Sequence, residues 1–185
     1  LAGSPGIWEA VMRQTRVIQV NSFEELVGTT KAFLFSPPPR GNCVALVSIS
    51  GGSSVVNADA VIQTGLKISR LSEETMNSLK SVVQAVGTNI SNPIDLASSY
   101  NNPDALRKTI MGIGEDPNVY AVIAEFAPLY VIHWSIHIRD PELPSAIQLA
   151  LLESLDHVKL KLGKPVFLTL VDVGYEKQTR KIEKL

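Results

Sequence analysis

The apolar positions change their spacing partway along the chain, and that change divides it. Over residues 4–35 they recur at helical intervals in two short stretches, one on each side of Arg16-Val17-Ile18-Gln19-Val20. The second stretch opens with Ser22 and, three residues on, Glu25. This is a capping box, in which hydroxyl and carboxylate each accept an amide left over by the first helical turn. Ser36-Pro37-Pro38-Pro39-Arg40-Gly41 follows. A proline run favours extended backbone, so the segment reads as a semi-rigid linker. The expected organisation is a helical tail over 1–36, a proline-rich linker over 37–41 and one principal domain over 42–185.

Beyond the linker the pattern alternates between buried strands and amphipathic helices. Cys43 to Ile49 is a continuous apolar run, as a strand covered on both faces requires. After Ser50-Gly51-Gly52-Ser53-Ser54, the spacing predicts a helix from Val55 to Thr64, ending at Gly65. Leu66 to Leu71 alternates like a short strand, and Ser72 with Thr75 opens a helix to about Val86. Asn92-Pro93-Ile94-Asp95-Leu96 reads as a turn, because the residue before proline avoids helical geometry. Asn102 then caps a helix whose first residue is Pro103. Val119 to Phe126 is the next strand and Asp140-Pro141 opens a helix to about Leu162. Pro165 to Val171 is the last strand and Tyr175 to Leu185 a charged helix. The stretch Val119–Ile136 is the most apolar, but Glu125, Pro128 and His133 interrupt it, so it reads as a buried strand and a loop. A membrane helix needs about 20 apolar residues without such breaks. Strands alternating with helices give the fold class: α/β, a doubly wound, mainly parallel sheet, flavodoxin-like, in three αβα layers with right-handed crossovers.

Composition narrows the function classes. With 45% hydrophobic and 19% charged residues the 185-residue chain can build a core, and disorder is excluded. Seventeen basic against eighteen acidic side chains leave a net charge of −1, so no global field points to nucleic acid or a membrane surface. The single cysteine, Cys43, makes no internal disulfide and reads as a small core residue, which suits a reducing, cytoplasmic setting.

In a doubly wound sheet, ligands sit beyond the carboxyl ends of the strands. There Gly51, Gly52, Ser53 and Ser54 precede a helix. Glycines let a ligand approach the backbone, and a helix start offers free N–H groups with partial positive charge. The segment is a candidate phosphate cradle, or else a tight turn whose serines merely cap. It is neither a Walker loop nor a dinucleotide fingerprint. Asn92, Pro93 and Asp95 form either a supporting turn for that site or an ordinary Asx turn. Glu125 is a possible catalytic carboxylate, though a strand-end charge reaching solvent is the simpler reading. His133 and His137 lack a third metal ligand, His157 reads as a surface residue, and no metal is expected.

These segments together resemble the NDP-forming (ADP-forming) acyl-CoA and acetyl-CoA synthetases, relatives of succinyl-CoA synthetase. Leu1-Ala2-Gly3-Ser4 is similar to the end of the family's His-Thr-Gly-x-Leu-Ala-Gly-Ser motif. Val17-Ile18-Gln19-Val20 and Glu24-Glu25-Leu26 are similar to the segments that follow it. Ser48 to Ser54 with Asp59 stands where the family has Asn-Ala-Gly-Gly-Pro-Gly and an aspartate, with Ile49 at the asparagine and Ser53-Ser54 at Pro-Gly. Gly65-Leu66, Leu71 to Thr75 and Asn92-Pro93-Ile94-Asp95-Leu96 match in order. The resemblance implies a fragment covering the succinyl-CoA-ligase-like domain, lacking a final strand–helix unit. It lies downstream of the phosphohistidine, so no catalytic residue falls in this chain. It implies conversion of acyl-CoA, phosphate and ADP to acid, CoA and ATP, with the start of the Gly51–Ser54 helix facing the phosphoryl group. CoA, ATP or ADP, and Mg are implied for the full-length enzyme and none for the fragment. The implied partners are CoA-binding and ATP-grasp domains or subunits, with a homo-oligomer possible. A non-catalytic interaction module of the same fold is the alternative, suggested by Ile49 and Ser53-Ser54. A flavin or nucleotide binder of flavodoxin type ranks below both.

Overall fold

The computed structural model describes residues 4–84 and 86–171. The chain falls into two compact units, Leu1–Ser36 and Pro37–Leu185. In the first, α1 (Pro5–Thr15) begins with proline, where the missing N–H has no helical partner to lose. Helix α2 (Phe23–Phe35) opens on the expected capping box. Ser22 Oγ accepts the Glu25 N–H at 3.0 Å, and the Glu25 carboxylate accepts the Asn21 N–H at 2.6 Å.

The second unit runs β1 (Cys43–Ser48), α3 (Gly51–Gln63), β2 (Lys67–Ile68), α4 (Glu73–Lys80), β3 (Ile94–Asp95), α5 (Pro103–Glu115), β4 (Ala121–Phe126), α6 (Pro128–Ile138), α7 (Leu143–Asp156) and β5 (Val166–Leu170). The strands form one parallel sheet in the order β2-β1-β4-β5. β3 pairs with β1 on the edge that β2 occupies lower down. Alternation along β1 and β4 sends side chains to two cores. Ala45, Val47, Val122 and Ala124 join a large cluster with Leu106, Ile110, Ile147 and Leu151 of α5 and α7. Val44, Leu46 and Ala121 meet Val61 of α3 on the other face. This is the α/β, sheet-between-helices architecture that the alternating pattern predicts.

Several boundaries differ from expectation. Helix α3 starts at Gly51, four residues before Val55, because Ser50 caps it. The alternating Leu66–Leu71 segment contributes only Lys67 and Ile68 to the sheet, and α4 stops at Lys80. The supposed loop after β4 is helix α6, with Pro128 at its first turn. Its apolar residues run almost all round, so no amphipathic period betrays it. The expected turn at residues 92–96 contains the short strand β3 and a cis Asn92–Pro93 peptide. Asn102 does cap α5: its Oδ1 accepts the Asp104 and Ala105 N–H groups at 3.0 and 3.2 Å. The expected helix Tyr175–Leu185 and the residues Leu1-Ala2-Gly3 lie outside the described residues.

Candidate functional site

The connection from β1 leads to the β2 edge, whereas that from β4 leads to β5 on the other side. The chain therefore reverses its winding between β1 and β4, and a crevice opens where those two strands end. Ser50, in extended geometry, accepts the Ser53 N–H on its Oγ at 3.3 Å. The Gly51 and Gly52 amides belong to the first helical turn and have no partner four residues back. Both residues are exposed, and neither amide donates to a side chain among the described residues.

Register brings a polar row across the sheet at this level. Ser48 pairs with Asp95 and Glu125 pairs with Thr169. Val47 pairs with Ala124, which sets Ser48 beside Glu125. By alternation all four belong to the face that α3 covers. Contrary to the sequence expectation, Glu125 does not reach solvent: it is only 3% exposed. Its Oε2 accepts the Ile49 N–H at 3.0 Å and the Ser53 hydroxyl at 2.7 Å. Negative charge is favourable beside a helix start, which is what retains a buried carboxylate there. Tyr100 is also fully buried, and its hydroxyl donates to the Glu125 backbone carbonyl at 2.6 Å. Burial, and then the charge of Glu125, push its phenol well above the usual tyrosine range. The Ser48 and Ser54 hydroxyls are buried without a hydrogen-bond partner.

Two segments singled out separately in the sequence meet here. Gly51 and Ser54 share a cleft of about 360 Å³ with Asp59, Asn89, Pro93 and Asp95. Asp95 Oδ2 stands 3.2 Å from where a Cβ on Gly51 would be, so a side chain there would crowd the carboxylate. Asn92 points elsewhere. Its Oδ1 accepts the Leu46 N–H at 2.8 Å, and its Nδ2 donates to the Val44 and Ser69 carbonyls at 2.8 and 3.0 Å. The carboxamide thus stands in for missing backbone at the point where β2 leaves the sheet. A larger hollow of about 710 Å³ lies beside Ile68, Arg70, Met76, Lys80 and Asn92. It borders the β2 edge and includes none of the crevice residues.

The histidines do not converge. His133 and His137 are exposed on α6, and His157 lies 3.6 Å from Glu115. Among the described residues no three His, Cys, Asp or Glu side chains are grouped as metal ligands. Cys43 is half-buried at the start of β1. No helix among the described residues is long and apolar enough to cross a membrane. The sequence reading missed the burial of Glu125 and did not name Asn89 in the cleft. For Glu125 the available signal was a charge at an inward position of an otherwise apolar strand.

The architecture and the open helix start at the winding reversal define a doubly wound α/β domain with a crevice at the carboxyl ends of its strands. Comparison with known proteins gives the class a family. No protein-family model matches the chain. Acetate–CoA ligase [ADP-forming] II subunit alpha from Pyrococcus furiosus is 36% identical over 124 residues, 67% of this chain and 26% of that protein. Acetate–CoA ligase [ADP-forming] II from Archaeoglobus fulgidus is 34% identical over 127 residues, 67% of this chain and 19% of that protein. The crystal structure of PH0766 from Pyrococcus horikoshii OT3 has a TM-score of 0.78 at 28% identity, covering 99% of this chain and 39% of that one. Dinucleotide-forming acetyl-coenzyme A synthetase 1 from Ca. Korarchaeum cryptofilum, in complex with phosphate and ADP, shares the fold with a TM-score of 0.78 at 19% identity. This chain is homologous, over part of their length, to the ADP-forming acetyl-CoA synthetases. It spans about a quarter or less of the two curated relatives named above.

Proposed function

We propose that this domain works within an NDP-forming acyl-CoA synthetase that converts acyl-CoA, phosphate and ADP to acid, CoA and ATP, and that the start of α3 receives a phosphoryl group carried by another domain. The observation that carries the reading is the pair of exposed amides at Gly51 and Gly52, at the winding reversal of a domain homologous to these ligases. Phosphoryl transfer asks a protein chiefly for positioning and charge stabilisation, and a helix start supplies N–H donors and a favourable dipole. Ser54 adds a hydroxyl beside them, whereas the Ser53 hydroxyl is given to Glu125. Asn92 acts one step removed, by holding the sheet edge from which Pro93 and Asp95 reach the cleft.

The residues of the cleft suit a phosphoryl group better than a whole cofactor. Among the described residues no lysine, arginine or aromatic side chain lines it, so recognition of CoA and of ADP with Mg falls to CoA-binding and ATP-grasp domains or subunits. In that assembly the domain is cytoplasmic and contributes no covalent catalyst of its own. A polypeptide carrying this domain and incubated with labelled ATP is expected to take up acid-labile phosphate and to return it to ADP. A polypeptide that takes up none overturns the catalytic role and leaves an interaction module. That second reading draws on Val55, Val56 and Ile62, which are 62%, 68% and 57% exposed on α3 beside the crevice, an apolar face that fits contact with a partner domain.

A further inference from the structure

We infer that Glu125 is a charge gate at the mouth of α3: a resident carboxylate that any incoming phosphoryl group must oppose. The inference rests on the phosphoryl reading of α3 given above and adds a selectivity to it. The carboxylate is almost fully buried, and Oε2 is held by the Ile49 N–H at 3.0 Å and the Ser53 hydroxyl at 2.7 Å. Those two donors belong to the strand–helix junction itself, so part of the donor set is already taken by an anion of the protein. Other donors stay free. Gly51 and Gly52 are exposed residues whose amides have no acceptor among the described residues, and the Ser54 hydroxyl, on a residue 6% exposed that lines the cleft with Gly51, has no partner among them. Asp95 adds a second carboxylate on the cleft side of Gly51.

The mouth therefore offers hydrogen bonds to an incoming oxygen while repelling its charge. In a partly desolvated crevice, repulsion between charges a few ångströms apart outweighs the gain from one or two extra amide bonds. Free dianionic phosphate is disfavoured by that balance. A phosphoryl group is admitted when the domain that carries it brings a cationic group to offset the charge. Glutamine at position 125 could accept the same two hydrogen bonds without the charge, so Glu125→Gln isolates the electrostatic effect.

The test titrates inorganic phosphate into the 185-residue chain and follows the Gly51 and Gly52 amide resonances. The wild-type chain, Glu125→Gln and the control Asp156→Asn, which removes an exposed charge at the end of α7 on the opposite face of the sheet, are compared. Glu125→Gln is expected to bind phosphate about tenfold or more tightly than wild type, and Asp156→Asn to stay within about twofold. If wild type binds and Glu125→Gln binds no tighter, or Asp156→Asn tightens equally, the gate is overturned while the phosphoryl reading stands. If the amides move in none of the three proteins, the phosphoryl reading falls and takes the gate with it. Should Glu125→Gln lose its dispersed amide spectrum, Glu125→Leu, which fills the buried site with apolar volume, carries the same expectation.

Discussion

The two ends of the sheet differ in the polar groups they leave open. Before β4, Asp116 is 1% exposed, yet both oxygens are engaged: Oδ2 accepts the Ser72 N–H and Oδ1 the Asn118 N–H, each at 2.8 Å. Lys164, just before β5, donates to the Gly114 and Asp116 carbonyls at 2.6 and 2.9 Å. Beyond the other ends of the strands, the Ser48 and Ser54 hydroxyls have no partner and the Gly51 and Gly52 amides are open. Polar groups left unpaired in a folded protein cost stability. The amino end uses its polar groups to hold the fold; the carboxyl end leaves donors open, as the proposed phosphoryl site requires.

The largest expected effect tests where Asn92 belongs. By position it borders the cleft segment, but by bonding it belongs with the closed network. Asn92→Ala strands the buried Leu46 N–H and removes two further bonds, and should lower unfolding free energy by about 3 kcal/mol in urea. A loss below about 1 kcal/mol would return Asn92 to the site. Asp116→Ala, which leaves the Ser72 and Asn118 amides without acceptors, should cost about 2 kcal/mol by the same measurement.

At the open end the sign reverses. Ser54→Ala removes a buried hydroxyl that has no partner and improves helix propensity, so it should leave stability unchanged or raise it by up to about 1 kcal/mol. A loss of about 2 kcal/mol on Ser54→Ala would erase the contrast between the ends. The smallest effect is a pH dependence. Burial alone would raise the Asp116 carboxyl, but hydrogen bonds from the Ser72 amide, the Thr75 hydroxyl, the Asn118 amide and the Ser72 hydroxyl outweigh it and hold it below its ordinary 3.8. Its folded value lies under its unfolded one, so its contribution is complete above about pH 4 and is lost as the pH falls further. The stability gap between wild type and Asp116→Ala should therefore narrow only in that acid range. Narrowing near neutral pH would point to a different group.

Local chemistry was readable wherever one short segment contains both partners of an interaction. The caps at Ser22, Ser72 and Asn102 each join residues two or three positions apart, and all three were legible. The apolar run of β1 announced a doubly covered strand for the same reason. Helix α6 was missed because its apolar residues leave no polar face to set a period. The start of α3 was placed four residues late, at Val55, because glycines hid its first turn.

What remained belongs to pairs far apart in the chain. Ser53 meets Glu125 across 72 positions, and Asn92 meets Leu46 across 46. Neither meeting follows from the spacing of either residue's neighbours, since each depends on strand order and register. The amino-acid sequence by itself determined most of the strands and helices, though not α6 or β3, and that a glycine-marked helix follows the first strand. Only the tertiary structure decided that a buried carboxylate stands at that helix start and that Asn92 mends the sheet edge. Secondary structure is set by backbone preferences and nearby side chains, whereas hydrogen bonds across a sheet are set by which strands come to lie side by side.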